Sequence, residues 1–252
     1  MNLFESIVIA WESIVANKMR SLLTMLGIII GVSSVITVSA LGQGGRSAIN
    51  KEMDSFGANR FGIYYNYNPD NPITDADVFT LQDVAAIKDI SPAVEDIAPI
   101  NWDSASIRSK GKEIGVRIAA TTADYVRIAN LKLDIGRFFS HEDHNARKYV
   151  AVISESLAKE LFNSSEAIGK KIMVGNRPFK VIGLLGREES VFSMGQDSKL
   201  MYIPISTYFS VSGSNWINNI EGKAVSQTEV DNAINHSLSI LHRSHRNKDK
   251  YN

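Results

Sequence analysis

SLLTMLGIIIGVSSVITVSALGQGG, residues 21–45, holds no charged side chain between Arg20 and Arg46. Its apolar heart, Leu22 to Leu41, is about 20 residues long, which at about 1.5 Å per helical residue matches the roughly 30 Å of a bilayer core. About eleven Leu, Ile and Val at roughly −0.5 kcal/mol each favour insertion more than the interspersed Gly, Ser and Thr oppose it. The stretch reads as a transmembrane helix. A cleaved signal peptide is the competing reading, because Val38-Ser39-Ala40 has small residues in a cleavage-like pattern. The apolar run is longer than an ordinary signal core, however, and residues 1–20 before it include Glu5 and Glu12.

Lys18 and Arg20 stand just before the span and are read as topology-setting, since basic flanks tend to stay cytoplasmic. Arg46 and Lys51 lie on the far side, yet a long domain translocates largely regardless of charge. The expected arrangement is residues 1–20 inside and the main domain outside the cell membrane. Phe4, Ile7, Trp11 and Ile14, with Leu3, Val8, Val15 and Met19, recur at helical spacing opposite Asn2, Glu5, Glu12, Ser13 and Asn17. That pattern fits an amphipathic helix lying at the cytoplasmic bilayer interface, or packed on protein, which enters the span at a bend near Asn17. Within the span Gly27 and Gly31 form a GxxxG, with Ser34 one turn further. Small residues one turn apart let another helix approach closely, so Gly27, Gly31 and Ser34 are the candidate packing face.

Beyond the span, about 200 residues remain, enough for a domain with its own core. The 27 basic and 27 acidic residues cancel, so no global field recruits nucleic acid. The absence of cysteine excludes disulfides, thiolate metal sites and a Cys nucleophile.

The outer region alternates helical and extended patterns, an α+β composition. Thr74-x-x-Asp77 resembles a capping box opening a helix through Val78, Leu81, Val84, Ala85 and Ile87 to the break at Ser91-Pro92. Val94 to Ile100 reads as extended, and Ser104–Lys110 with Glu113–Thr121 as a hairpin about Gly111-Lys112. Residues 136–140 read as a loop, Tyr149–Ile153 as a buried strand, and Ser154 as the cap of a helix through Leu157, Leu161 and Phe162. Lys170–Val174 and Phe179–Leu185 flank Gly175-Asn176, a hairpin signal. Residues 190–198 read as a loop, Leu200–Ile205 and Asn218–Ala224 as strands, and Ser226-x-x-Glu229 as a box opening a last helix through Val230, Ile234, Leu238 and Leu241.

Catalytic patterns are weak. His141-Glu142-Asp143-His144 has metal-ligand residue types, but its His spacing is i, i+3 where the zinc-protease helix needs i, i+4, so it reads as a solvated loop. His242-Arg243-Ser244-His245 repeats that spacing in a basic tail. Leu41-Gly42-Gln43-Gly44-Gly45-Arg46 lacks the P-loop form and follows a span, so it reads as a flexible membrane exit. Asn163-Ser164-Ser165 is a glycosylation sequon only by pattern. No Walker loop and no G-x-S-x-G elbow occur, so catalytic, cofactor and metal residues are all expected to be absent, and ATP hydrolysis would belong to a partner.

Ala10-Trp11-Glu12-Ser13-Ile14, Asn17-Lys18-Met19-Arg20-Ser21-Leu22-Leu23-Thr24-Met25-Leu26-Gly27 and onward to Leu41-Gly42-Gln43-Gly44 closely resemble the start of MacB-type ABC transporter permeases. Gly136-Arg137-Phe138-Phe139, Val150–Ser154, Ala158–Phe162, Ile168-Gly169-Lys170 and Phe179–Gly183 come next, in the order typical of that family, most like its stand-alone, YknZ-like members. The resemblance implies one N-terminal transmembrane helix (21–45) and a mixed α/β extracytoplasmic domain, a MacB-like periplasmic core domain. That domain would comprise a porter-like part (46–100 and 216–252) and a β-rich inserted subdomain (101–215). It further implies a permease homodimer, a separate ABC ATPase subunit, a membrane fusion protein, and export of peptides, toxins or antibiotics by transmitted motion. Family members continue with three more membrane helices and an FtsX-like region, whereas this chain stops at Asn252, so it reads as the front part of a longer permease. The other readings are a single-pass membrane-anchored ligand-binding or receptor domain and, more distantly, an anchored hydrolase.

Overall fold

The computed structural model describes residues 3–55, 59–109, 112–163, 166–186, 199–247 and 249–252. The chain divides into two compact units, residues 1–52 and 53–252.

In the first unit, α1 (Leu3–Ala16) ends at Asn17 and α2 runs from Lys18 to Ser55. The break falls where the sequence places it. Asn17 Nδ2 turns back to Ser13 O at 3.4 Å, the local side-chain bond by which Asn competes with helix propagation. Lys18–Ser47 is 30 residues long, with a window of mean hydropathy 2.2 that is wholly unburied. At about 1.5 Å per residue such a helix reaches about 45 Å, the thickness of a bilayer with its headgroups. The expected flexible exit at Leu41–Arg46 is not found. The helix continues through Gly42, Gly44 and Gly45, because Gly costs only about 1 kcal/mol per position and no Pro interrupts the hydrogen-bond ladder.

The second unit is a mixed sheet flanked by helices. Its elements are β1 (Arg60–Ile63), α3 (Leu81–Ile90), β2 (Val94–Ser109), β3 (Lys112–Thr121), α4 (Tyr125–Ile128), β4 (Leu133–Gly136), α5 (His141–Asn145), β5 (Val150–Ser154) and α6 (Glu155–Phe162). They continue with β6 (Lys171–Val174), β7 (Arg177–Leu185), β8 (Leu200–Pro204), α7 (Ile205–Ser212), β9 (Asn219–Ala224) and α8 (Val230–His245). The strand order is β1-β9-β2-β3-β8-β5-β7-β4, with β6 paired to β7. The β3–β8 and β5–β7 pairs are parallel and the others antiparallel.

Alternation along the central strands sorts side chains into two cores on opposite faces. Ile97, Ile118, Ala120, Ala151, Ile153, Met201 and Ile203 join one core with Phe79, Ile87, Leu157 and Phe179. Their neighbours Ala98, Ile100, Ala119, Val152 and Tyr202 join the other, with Tyr125, Ile128, Phe138 and Phe139.

Both expected hairpins form. In one, Val174 faces Arg177 across Gly175-Asn176, with Gly175 at φ +56. In the other, Ser109 faces Lys112, so Lys112 belongs to β3 rather than to the expected Gly111-Lys112 turn, β2 is extended throughout, and residues 110–111 lie outside those described. The expected loop at 190–198 also lies outside them. The Gly136–Ser140 segment is a loop only after Gly136, which closes β4. A Cβ on Gly136, at φ +84, would stand 2.3 Å from Ile182 O, and one on Gly183 would stand 2.4 Å from Arg137 O. Glycine at both places lets the two backbones touch.

Three helix starts differ from expectation. The Thr74–Asp77 box forms, but it caps only a 3₁₀ turn at Asp75–Asp77, and α3 starts at Leu81 under a second box, Thr80–Asp83. Phe79 decides this, since the chain extends between the boxes to bury that ring, stacked on Tyr65 at 4.3 Å. The Ser226–Glu229 box does not form. Ser226 Oγ meets Thr228 Oγ1 at 2.9 Å, Glu229 accepts from Asn232 Nδ2 at 2.9 Å, and a 3₁₀ turn precedes α8. His141–His144 is the helix α5 rather than a solvated loop. Ser140-x-x-Asp143 is itself a capping box, and buried Asp143 binds Arg137 at 2.6 Å and Lys148 at 2.9 Å.

Candidate functional site

Past Ile63 the backbone stays extended, and a second segment lies against it. Tyr64 N donates to Asn252 O at 2.7 Å, Asn252 N donates to Tyr64 O at 2.9 Å, and Asn66 N donates to Lys250 O at 2.8 Å. Tyr65 and Tyr251 are antiparallel partners. The residues that come after α2 and β1 are thus joined to the last four described residues, while β1 itself pairs with β9.

Buried polar side chains brace this joint from the segments just before α3 and just after α8. Tyr65 Oη donates to Ile217 O at 2.7 Å and accepts from Phe79 N at 2.9 Å. Tyr251 Oη donates to Asp77 O at 2.7 Å. Asn247 Nδ2 donates to Asp77 Oδ1 at 2.6 Å and to Tyr251 Oη at 3.1 Å. Lys250 Nζ donates to Pro72 O at 2.7 Å and to Asn71 O at 3.3 Å, and lies 3.6 Å from Asp77 Oδ2. At the end of α8, Ser244 Oγ donates to Asp83 Oδ1 at 3.0 Å. The His245 ring lies between Asp83 Oδ2 at 2.9 Å and Ala76 O at 2.7 Å. A carboxylate and a carbonyl only accept, so each ring nitrogen faces an acceptor.

The electrostatics come from burial against hydrogen bonding. Burial opposes ionisation of Asp77, but the Thr74 hydroxyl and N–H, with Asn247, prevail and hold its pKa at about 2. Burial likewise opposes ionisation of Asp83, and Thr80 with His245 overcomes it to hold the carboxyl below the usual range. Burial pushes the Tyr251 hydroxyl up to about 12, which keeps it a donor. These groups lock two helices to a strand pair. The hydroxyls of Thr74, Thr80 and Ser244 donate to the Asp77 and Asp83 carboxylates as caps and braces, and among the described residues no three His, Asp or Glu side chains converge as metal ligands.

The residues singled out in the sequence occupy the first unit. Phe4, Ile7, Trp11 and Ile14 are 78%, 63%, 69% and 49% exposed along α1. Lys18 and Arg20 open α2. Gly27 and Gly31, one turn apart, leave nothing within 4 Å of an added Cβ. Ser34 Oγ returns to Ile30 O at 2.8 Å and Thr37 Oγ1 to Ser33 O at 2.7 Å, so these two hydroxyls are satisfied within the helix. Sequence reasoning misses the joint, although the repeated Thr-x-x-Asp at 74–77 and 80–83 marks its acidic half.

A family model described as MacB-like periplasmic core domain matches residues 21–236. The uncharacterized ABC transporter permease YknZ of Bacillus subtilis is 31% identical over 256 residues, covering 100% of this chain and 64% of that protein. The pyoverdine export ATP-binding/permease protein PvdT of Pseudomonas aeruginosa is 30% identical over 254 residues, covering 99% of this chain but 38% of that protein. The crystal structure of the extracellular domain of YknZ superposes with a TM-score of 0.65 at 21% identity, over 77% of this chain and 98% of that one. The chain therefore spans about two thirds or less of these curated relatives, and its α+β fold is that of the YknZ domain.

Proposed function

We propose that this chain, which belongs to the MacB-like periplasmic core domain family, is the membrane-anchoring and force-transmitting front part of an ABC efflux permease. It is a membrane protein with one N-terminal apolar helix and a sheet-rich outer domain. In this reading residues 1–20, with Lys18 and Arg20, face the cytoplasm. Phe4, Ile7, Trp11 and Ile14 rest on the bilayer surface near a separate ABC ATPase, and Gly27, Gly31 and Ser34 pack against a neighbouring permease helix. Residues 46–100 and 216–252 form the porter-like part that receives motion, and 101–215 the β-rich part that meets a membrane fusion protein. The chain catalyses nothing itself. ATP-driven movement reaches the outer domain for export of peptides, toxins or antibiotics.

The observation that carries this reading is the joint at Tyr64–Asn66 and Lys250–Asn252, a strand pair locked by buried polar groups where mechanical coupling needs stiffness and catalysis would need an accessible reactive group. Membership of a permease family and the wholly exposed apolar helix support it. Because the chain has no cysteine, single substitutions report topology cleanly. Ser239→Cys should react with a membrane-impermeant maleimide on intact cells and Ser13→Cys only after lysis. Affinity capture of the full-length gene product should retain an ABC ATPase. Reversed labelling sinks the orientation, and loss of every ATPase sinks the transport reading.

A further inference from the structure

One face of the sheet edge is left open beside the joint. Gly62 and Glu221 are register partners, as are Ile100 and Asn219, so Tyr64, Asn219 and Trp102 fall on one face of three adjacent strands. With Tyr65, Tyr67 and Asn218 they line a groove of about 480 Å³, within the roughly 300–1,000 Å³ of small-molecule sites.

Three features of this groove point the same way. First, its aromatic walls are accessible, with Tyr64 46% and Tyr67 80% exposed. Second, the side chains of Tyr64, Tyr67, Trp102, Asn218 and Asn219 have no hydrogen-bond partner among the described residues, so their hydroxyl, indole and amide groups are uncommitted. Third, no lining residue is charged. Arg60 and Glu221, in the adjoining hollow of about 280 Å³, neutralise one another at 2.7 Å. Arg117 lies 4.3 Å over the Trp102 ring and braces the indole from one face. Flat aromatic platforms suit a ligand with C–H faces, and paired neutral amides suit one ringed by hydroxyl or acetamido groups.

We propose that this groove binds a neutral saccharide chain. Tyr64 divides it from the adjoining hollow, and its position depends on Gly62, where an added Cβ would meet Tyr64 Oη at 2.5 Å. The proposal draws on the extracytoplasmic reading only for the source of the glycan, a surface polysaccharide. Binding is measured on purified protein, so its failure and a failure of the topology test are separate results.

The test is calorimetric titration of the whole chain in lipid nanodiscs, free of glycoside detergents, with tetra-N-acetylchitotetraose. Saturable binding is expected. Trp102→Ala and Asn219→Ala should each weaken it about tenfold, the scale of one aromatic or hydrogen-bonded contact. Gly62→Ala, which pushes only the far end of the Tyr64 side chain, should weaken it while leaving the unfolding midpoint within about 2 °C of the parent. If either larger substitution unfolds the domain, Asn218→Ala at an exposed position replaces it. Absence of saturable heat up to about 10 mM saccharide overturns the proposal. So does unchanged affinity in folded variants, or binding of an uncharged tetrapeptide in preference to the saccharide.

Discussion

Asp83→Ala tests whether the end of α8 is truly locked to the start of α3. Two losses add. The Thr80–Asp83 box contributes bonds of 2.8 Å and 2.7 Å from Thr80 N and Oγ1 to the carboxylate, and removing such a cap costs about 1 kcal/mol. The same carboxylate accepts from Ser244 at 3.0 Å and sits 2.9 Å from His245 Nε2, where the side chains are 4% and 9% exposed. Leaving such a buried ring without its partner costs a further 2–3 kcal/mol, roughly. The sum, about 3–4 kcal/mol, corresponds to a fall of roughly 10 °C in the unfolding midpoint of a domain near 200 residues. Urea unfolding monitored by circular dichroism reads it, with Asp75→Ala, an exposed acid in the neighbouring turn, as the control. A double-mutant cycle with His245→Ala should give a coupling of about 1.5 kcal/mol or more. Additivity within about 0.5 kcal/mol would refute the lock even if both single variants were destabilised.

The same geometry sets other expectations. Gly136→Ala, forced against Ile182 O at φ +84, should cost about 3 kcal/mol or abolish folding, whereas Gly115→Ala, with nothing within 4 Å, should change stability by less than about 0.5 kcal/mol in the same assay. The folded-state pKa values of Asp77, Asp83, Asp96 and Asp143 are all depressed. Their stabilisation is therefore complete above the unfolded carboxylate value near 3.9 and is lost as pH falls through the folded values. Unfolding free energies from urea titrations should drop by at least about 2 kcal/mol between pH 5 and pH 2, and a flat profile there would contradict the assigned hydrogen bonds. In the full-length permease, Gly27→Leu and Gly31→Leu should leave membrane insertion intact and eliminate oxidative cross-linking of Ser34→Cys to an introduced cysteine on a neighbouring helix. Undiminished cross-linking would show that this face does not pack.

Legibility in the sequence divides along a physical line. The span, the break at Asn17, both hairpins, the β5–α6 unit capped by Ser154 and the apolar face of α8 are all legible, because each depends on local periodicity or on a turn residue in place. The helix starts near Thr74 and Ser226 are not, because local capping signals do not rank themselves. Thr74-x-x-Asp77 and Ser226-x-x-Glu229 are equally good patterns, and only the burial of Phe79 beside Tyr65 and the Ser226–Thr228 contact decide how the chain continues after each. Likewise His141–His144 looks solvent-facing in the sequence because the partners of Asp143, Arg137 and Lys148, are brought in by the loop on one side and the approach to β5 on the other. The joint is invisible for the strongest form of the same reason. It pairs Tyr64 with Asn252, and no window of sequence contains both.

The direction of that pairing restricts how it can carry force. Tyr64 comes directly after the incoming β1 and lies opposite Asn252, while Asn66, deeper along the chain, lies opposite Lys250. The segments are antiparallel, so the lead into Tyr64 and, in the full-length permease proposed above, the lead out of Asn252 emerge at the same end. Displaced together, they move as one body and load none of the cross-strand bonds. Drawn apart, they peel from that end one bond at a time, at about 1 kcal/mol each. If motion passes through the joint as proposed, both leads must travel together, and covalent closure should not impair transport. Tyr64 and Asn252 exchange both N–H···O bonds, the pairing whose Cα atoms stand about 5.5 Å apart and within disulfide range. Tyr64→Cys with Asn252→Cys in the full-length permease, otherwise lacking cysteine over these residues, should therefore oxidise readily and keep its export activity. Activity lost on oxidation and restored by reductant would mean that the leads separate during the cycle, and a rigid joint could not then be the transmitting element.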